Sequence, residues 1–142
     1  MKIKMTKFEI LAEFVKDISS ETKDIQTYLF VKDYISKYQL TIDITSLPSK
    51  NKMIEVNTSL KFEDKKDNPK KSYFELTYAS LIKINENIKE RKELEKIILC
   101  DVQNKIKPNI EKVFTDLIHN SGFKGVSFKN IDFEKLYNSR IN

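Results

Sequence analysis

The sequence predicts an α+β fold: a four-stranded antiparallel sheet, with a long crossover between its first two strands and then a meander, followed by one long proline-kinked helix and a short C-terminal helix. Two observations carry this. Apolar residues recur at every second position through most of the first 84 residues, then switch to spacings of three and four, the periods of strand and helix. Turn-forming segments separate the later alternating runs, so those strands lie side by side. At 142 residues the chain is sized for a single domain, residues 1–142, able to bury a core without staples.

The first strand is read from Lys7 to Ser19, where Phe8, Ile10, Ala12, Phe14 and Ile18 alternate with Lys7, Glu9, Glu13 and Asp17, and Leu11 and Val15 fall on the opposite face. Residues 22–37 are ambiguous. Tyr28, Leu29, Phe30, Val31, Tyr34, Ile35 and Tyr38 cluster without glycine or proline, which suits either a short helix or an extended crossover. A connection this apolar either packs into the core or stays exposed as an adhesive surface.

The second strand follows at 39–45, with Leu40, Ile42 and Ile44 on one face, and a turn is expected at Leu47-Pro48-Ser49-Lys50-Asn51. Ile54, Val56, Thr58, Leu60 and Phe62 mark the third strand, and Phe74, Leu76, Tyr78, Ile82 and Ile84 the fourth, with a charged turn at Asp64–Pro69 between them. One apolar face demands a covering layer. The stripe Leu94, Ile98, Val102, Ile106, Ile110, Val113 or Phe114, and Leu117, widened by Ile97, Val113 and Ile118, supplies it. Pro108 within that stripe predicts a kink or split near Asn104 to Pro108. Gly122 is placed to end the helix in a left-handed cap. After an apolar loop with Phe123, Val126 and Phe128, Asp132 caps a last helix running from Phe133 to about Arg140.

Composition narrows the chemistry. Two glycines exclude Gly-rich phosphate loops, and the lone Cys100 excludes an internal disulfide and a Cys-based zinc site. No signal peptide and no apolar run of membrane-spanning length is seen, so a cytoplasmic, cofactor-free protein without metal is expected. The net charge of +5 invites a nucleic-acid reading, yet all but Arg91 and Arg140 of the 26 basic residues are lysine. Bidentate recognition of bases and phosphates favours arginine, so nucleic acid is not the favoured partner. Tyr73, Phe74 and Tyr78 could stack bases on an open sheet, but aromatics packing a sheet against helices explain them more simply. Cys100 and His119 stand 19 positions apart on one predicted helix, roughly 28 Å along a straight axis. They cannot form a catalytic pair without a sharp fold at Pro108. Cys100 reads as a small core residue and His119 as a cap facing the helix dipole. No catalytic residue is nominated, and an enzyme is not expected.

Three segments resemble the SecB-type protein-export chaperones over nearly the whole chain. They are Phe14-Val15-Lys16-Asp17-Ile18-Ser19 with Glu21; Ile106-Lys107-Pro108 ahead of Asn120-Ser121-Gly122-Phe123; and Asn130-Ile131-Asp132-Phe133-Glu134-Lys135-Leu136-Tyr137. The resemblance implies a dimer of dimers, nucleotide-independent binding of unfolded or precursor polypeptides in apolar grooves, and delivery to a SecA-type motor. It places Phe30, Tyr34, Tyr38, Leu40, Ile42, Phe123, Phe128, Leu136 and Tyr137 along the client groove. It places Asp17, Glu21 and Glu75 in an acidic patch facing the motor.

The chain also departs from the family pattern. Val102-Gln103 stand where the family has Cys-Pro, Lys107 and Asn109 flank the interior proline in place of aromatics, and Ala79-Ser80 replace two glycines. The family is typically acidic, whereas this chain is basic. Two alternatives therefore stay open: a SecB-like chaperone dedicated to the antitoxin of a toxin–antitoxin pair, and a lysine-rich nucleic-acid-binding module.

Overall fold

A computed structural model describes residues 6–128 together with 132, 135 and 138. Four strands, β1 (Phe8–Thr22), β2 (Gln39–Pro48), β3 (Met53–Glu63) and β4 (Ser72–Ile84), form one antiparallel sheet in the order β1-β4-β3-β2. The segment after β1 carries the chain to the far edge of the sheet, and the other three strands then return as a meander. Expected and observed topology agree.

The ambiguous crossover is a helix, α1 (Ile25–Tyr34), closed by a 3-10 turn at Ile35–Lys37. Asp24 starts it: its Oδ1 accepts the Thr27 backbone N–H at 2.8 Å, satisfying one of the orphan donors of the first turn. Hydrogen bonding from the Thr27 side chain, and then from its backbone N–H, holds the Asp24 carboxyl below the usual carboxylate range. Thr27, Val31 and Ile35 turn inward at spacings of four, while Ile25, Leu29 and Phe30 remain exposed. The crossover therefore splits between core and surface.

β1 departs from simple alternation. Its pairing with β4 shifts register between Ile10 and Ala12 and again between Val15 and Asp17. Each bulge inserts an unpaired residue and reverses the facing of those that follow. Phe8 and Ile10 thus share the face of Ile82 and Ile84, Ala12 and Phe14 sit on the opposite face, and Ile18 returns to the side of Leu76. The common facing expected of Phe8, Ile10, Ala12, Phe14 and Ile18 is corrected accordingly. β2 also runs further than expected, through Pro48 opposite Ile54. Proline is tolerated there because β2 is an edge strand. The turn tightens onto Asn51 and Lys52, both left-handed with φ of 59° and 60°, closed by a Met53 N–H to Lys50 carbonyl bond. This is the hairpin geometry whose twist matches the flanking strands.

The long helix comprises α2 (Arg91–Lys96), a π-helical turn at Ile97–Asp101, and α3 (Val102–Asn120). Pro108 lies inside α3, which is not split there. The change of winding falls at 97–101, N-terminal to the segment where the proline predicted it. Gln103, fully buried, holds that turn: its Nε2 donates to the Ile98 carbonyl at 3.3 Å and its Oε1 accepts the Thr58 hydroxyl of β3 at 3.0 Å. Beyond it Ile106, Ile110, Phe114 and Ile118 are completely buried with Val56, Leu60, Leu76 and Ile82 of the sheet, each side chain contributing about 1.5–3 kcal/mol. Nearer β1, the Tyr78 hydroxyl donates to Glu13 Oε1 at 2.9 Å, and Asn109 Nδ2 donates to the same oxygen at 3.0 Å.

α3 ends as the glycine suggested. Phe123 N–H bonds the Ile118 carbonyl and Gly122 N–H that of His119, with Gly122 at φ 104°, a Schellman cap. A Cβ built on Gly122 would lie 2.6 Å from Tyr28 Cε1. Asp132 Oδ1 accepts the Lys135 N–H at 3.0 Å, the capping role expected of it, and Lys135 and Asn138 are helical. Leu136 and Tyr137 lie outside the described residues. Replacing Gly122 with alanine should destabilise the domain by about 1–3 kcal/mol through backbone strain and collision with Tyr28. Denaturant titration of the variant measures it, and an unchanged midpoint would contradict the close approach.

Candidate functional site

A groove of about 880 Å³ lies between α1 with its 3-10 turn and the loop 122–128. Its floor is aromatic because two separate segments deliver rings to one place. Tyr38 packs on Phe62 with centroids 5.5 Å apart, Phe62 meets Phe128 edge-on at 5.1 Å, and Phe128 lies 4.9 Å from Phe114 of α3. Phe123 bridges Tyr28 at 5.1 Å and Phe74 at 5.7 Å. Such tilted and edge-to-face pairs suit the ring quadrupoles.

The loop wall is pinned by polar bonds. The Tyr28 hydroxyl donates to the Gly122 carbonyl at 2.8 Å, and His119 Nε2 lies 2.8 Å from the Val126 carbonyl. His119 therefore holds a loop carbonyl beyond its helix, in addition to standing in the last turn. The Tyr38 hydroxyl accepts the Ser72 backbone N–H at 3.0 Å, and burial pushes its ionisation above the ordinary tyrosine value.

The residues expected to line a groove divide. Tyr38, Phe123 and Phe128 do line it, each nearly buried, so they form its floor. Phe30 and Tyr34 stack on each other at 5.6 Å away from the lining, with Lys37 Nζ 5.1 Å over the Tyr34 ring. Leu40 and Ile42 are half-buried against the core on the helix side of β2 and do not reach the groove. Sequence reading missed Tyr28, Ile35, Phe62 and Val126 as lining, along with the cations Lys32 and Lys124. The four-residue spacing of Thr27, Val31 and Ile35 was the available signal for the α1 wall.

The carboxylates Asp17, Glu21 and Glu75 share the sheet face opposite α3. Asp17 stands opposite Thr77, Glu21 opposite Tyr73, and Glu75 opposite Ser19, so strand alternation sends all three the same way. The face is of mixed sign. Lys61 Nζ approaches Glu75 Oε1 to 4.0 Å, and Lys16 bonds Glu55 Oε2 at 2.7 Å, which holds the Glu55 carboxyl below its usual range. A shallow recess of about 220 Å³ among Thr41, Asp43, Ser59, Lys61 and Glu75 adjoins it. Among the described residues no cluster of metal-ligating side chains occurs and no helix is long and apolar enough to cross a membrane. Cys100 is buried in the π-turn.

The family model for preprotein translocase subunit SecB matches residues 2–142. The chain belongs to the SecB family. A putative protein-export protein SecB of Pelagibacter ubique is 52% identical over 136 residues, covering 95% of this chain and 97% of that protein. The protein-export protein SecB of Jannaschia sp. is 26% identical over 142 residues, covering 96% and 81% respectively. Among solved structures, a SecB-like chaperone of Mycobacterium tuberculosis, in complex with a ChAD peptide from the HigA1 antitoxin, superposes with a TM-score of 0.62 at 11% identity, covering 88% of this chain and 91% of that one. That likeness establishes the shared fold. SecB-family membership makes the protein a nucleotide-independent export chaperone and not an enzyme, in keeping with the cytoplasmic placement expected from the sequence.

Tyrosine ionisation offers a direct check on the packing around the site. Burial, reinforced by the bond to Glu13, pushes Tyr78 up to about 12, and Tyr38 is raised as well. Raised folded values bind protons that the unfolded chain has released. The stability these phenols contribute is full below pH ~10 and lost above it, for Tyr78 as the pH approaches about 12. In an alkaline spectrophotometric titration, Tyr38→Phe and Tyr78→Phe should each remove a late-ionising phenolate and flatten the loss of stability. A variant that instead removes an ordinary early phenolate would contradict the burial.

Proposed function

We propose that this SecB-family chaperone holds unfolded precursor segments in the groove between α1 and the 122–128 loop. The supporting observation is the groove itself: an open, aromatic-floored recess whose loop wall is fixed by Tyr28 and His119 before any client arrives. Pre-formed apolar walls avoid an ordering cost on binding, and each client side chain buried there gains about 1.5–3 kcal/mol. A binder that prefers the unfolded chain retards aggregation by mass action alone. The exposed Ile25, Leu29 and Phe30 of α1 extend apolar surface beyond the groove for longer segments. Phe30, Tyr34, Leu40 and Ile42 are thereby reassigned from the groove wall to its surroundings.

The helix-free face with Asp17, Glu21 and Glu75 is the proposed dock for a SecA-type motor. Its support is the common facing of the three carboxylates; the neighbouring Lys16 and Lys61 weaken its net field. Self-association is proposed along β1. This edge strand is 15 residues long and exposes Leu11, Phe14, Val15 and Ile18, each more than 40% accessible. A long apolar edge left open is an invitation to pair. The 52% identity to a protein-export relative favours precursor proteins over an antitoxin as the client.

Ser36 lines the groove and is exposed, so Ser36→Trp should fill it without disturbing the core. The variant should lose most of its ability to retard aggregation of an unfolded model protein in the absence of nucleotide, with unchanged far-UV dichroism. Undiminished protection would rule the groove out. Reversing charge at Asp17, Glu21 and Glu75 together should weaken binding of a SecA-type motor and leave client holding intact; retention of motor binding would reject the docking face. Sedimentation should show an assembly larger than one chain, reduced by Val15→Lys with Ile18→Lys, whereas a strict monomer would defeat the β1 assignment.

A further inference from the structure

We infer that the groove selects apolar segments flanked by acidic residues, because each of its two walls carries a lysine and no carboxylate occurs among the described residues that line it. The inference rests on the groove being the client site. Lys32 stands on the α1 wall and Lys124 on the loop wall, both exposed, among Tyr28, Ile35, Phe62, Phe123 and Phe128. Elsewhere on the described surface Lys16, Lys61 and Lys65 lie within 4.0 Å of a carboxylate. Among the described residues no such ion pair is formed by Lys32 or Lys124. A peptide laid along the groove would bury its apolar side chains against the rings and bring its flanking residues to the two ammonium groups.

The surroundings strengthen that contact. Low-dielectric aromatic walls on one side make the attraction stronger than between fully solvated ions, yet the lysine heads remain wet, so no large desolvation penalty opposes it. Lysine is a compact charge on a flexible stem. It accepts Asp or Glu over a range of positions, which suits a binder of many sequences. The overall charge of +5 adds a field of the same sign and steers acidic chains inward. Basic flanks would meet repulsion on both walls.

The experiment uses the full chain and three fluorescent, unstructured peptides sharing one aromatic-aliphatic centre, flanked by Asp and Glu, by Ser and Gln, or by Lys. Anisotropy titrations at low salt should rank them acidic, neutral, basic, with about a five- to tenfold gap between the first two, the combined effect of two exposed ion pairs. The gap should close as salt is raised, since screening at ~1 M acts within about 3 Å. Lys32→Glu with Lys124→Glu should invert the ranking, and the milder Lys32→Gln with Lys124→Gln should flatten it. Equal binding of all three peptides, or tightest binding of the basic one, overturns the acidic preference while leaving the groove assignment standing. If the neutral peptide binds as well to Ser36→Trp as to the parent, the groove assignment fails and the preference with it.

Discussion

The close approach of Tyr28 to Gly122 is the contact on which the rest of the groove depends. Glycine at a positive φ lets the chain leave α3 and turn at once toward α1, and the absence of a Cβ lets the Tyr28 ring lie against the backbone. The Tyr28 hydroxyl then fixes the carbonyl of the same residue. From that anchor Phe123 drops into the core between Tyr28 and Phe74, and the loop continues until Phe128 reaches Phe62 and Phe114. One small residue therefore decides whether the two walls of the groove face each other. A cap that elsewhere serves only to satisfy the final carbonyls of a helix here sets the geometry of the groove.

The two sheet faces divide the protein's tasks. One is sealed by α3 through fully buried aliphatic and aromatic side chains, and rigidity there lets the groove exist without a client. The other carries alternating carboxylates, lysines and hydroxyls, a wet surface suited to charge-guided contact. β1 belongs wholly to neither. Its bulges move apolar residues from one face to the other along its length, so each side of this edge strand shows apolar side chains to solvent. A strand so arranged can meet a partner edge-on and across both faces.

Much of this was legible in the sequence, for reasons tied to particular residues. Alternation at Ile54–Phe62 and Phe74–Ile84 specified the central strands because their helix-facing positions are the ones α3 covers. Gly122 and Asp132 announced their caps because few other residue types serve there. Bulges were not legible: an unpaired residue leaves no mark in an alternating pattern until the partner register is known. Pro108 lies inside α3 without splitting it, while the π-turn at 97–101 has no proline or glycine to announce it. Groove residues were found where aromatic side chains lie near the chain reversals at Tyr38, Phe123 and Phe128. They were missed on α1, where apolar residues on nearly every side hid which of them turned inward. The register that sets Asp17 and Glu21 beside Glu75 is a property of strand pairing, and only the family resemblance anticipated it.

The π-turn has a consequence of its own. A turn with five residues where a regular helix has fewer behaves like a single inserted residue, and it rotates everything before it by roughly 100° relative to everything after. Ile97 and Ile98 of the π-turn and Val102 at the start of α3 are all buried, a wider apolar arc than one straight stripe supplies. Gln103 fills the gap by bonding the Ile98 carbonyl, tying this local change of phase to β3 through Thr58. The helix is thus two α-helical segments clocked against each other across the π-turn. Removing one residue between 97 and 101 would make the helix regular and turn α2 away from the sheet. An apparent irregularity of winding is what allows a single helix to follow a twisted surface.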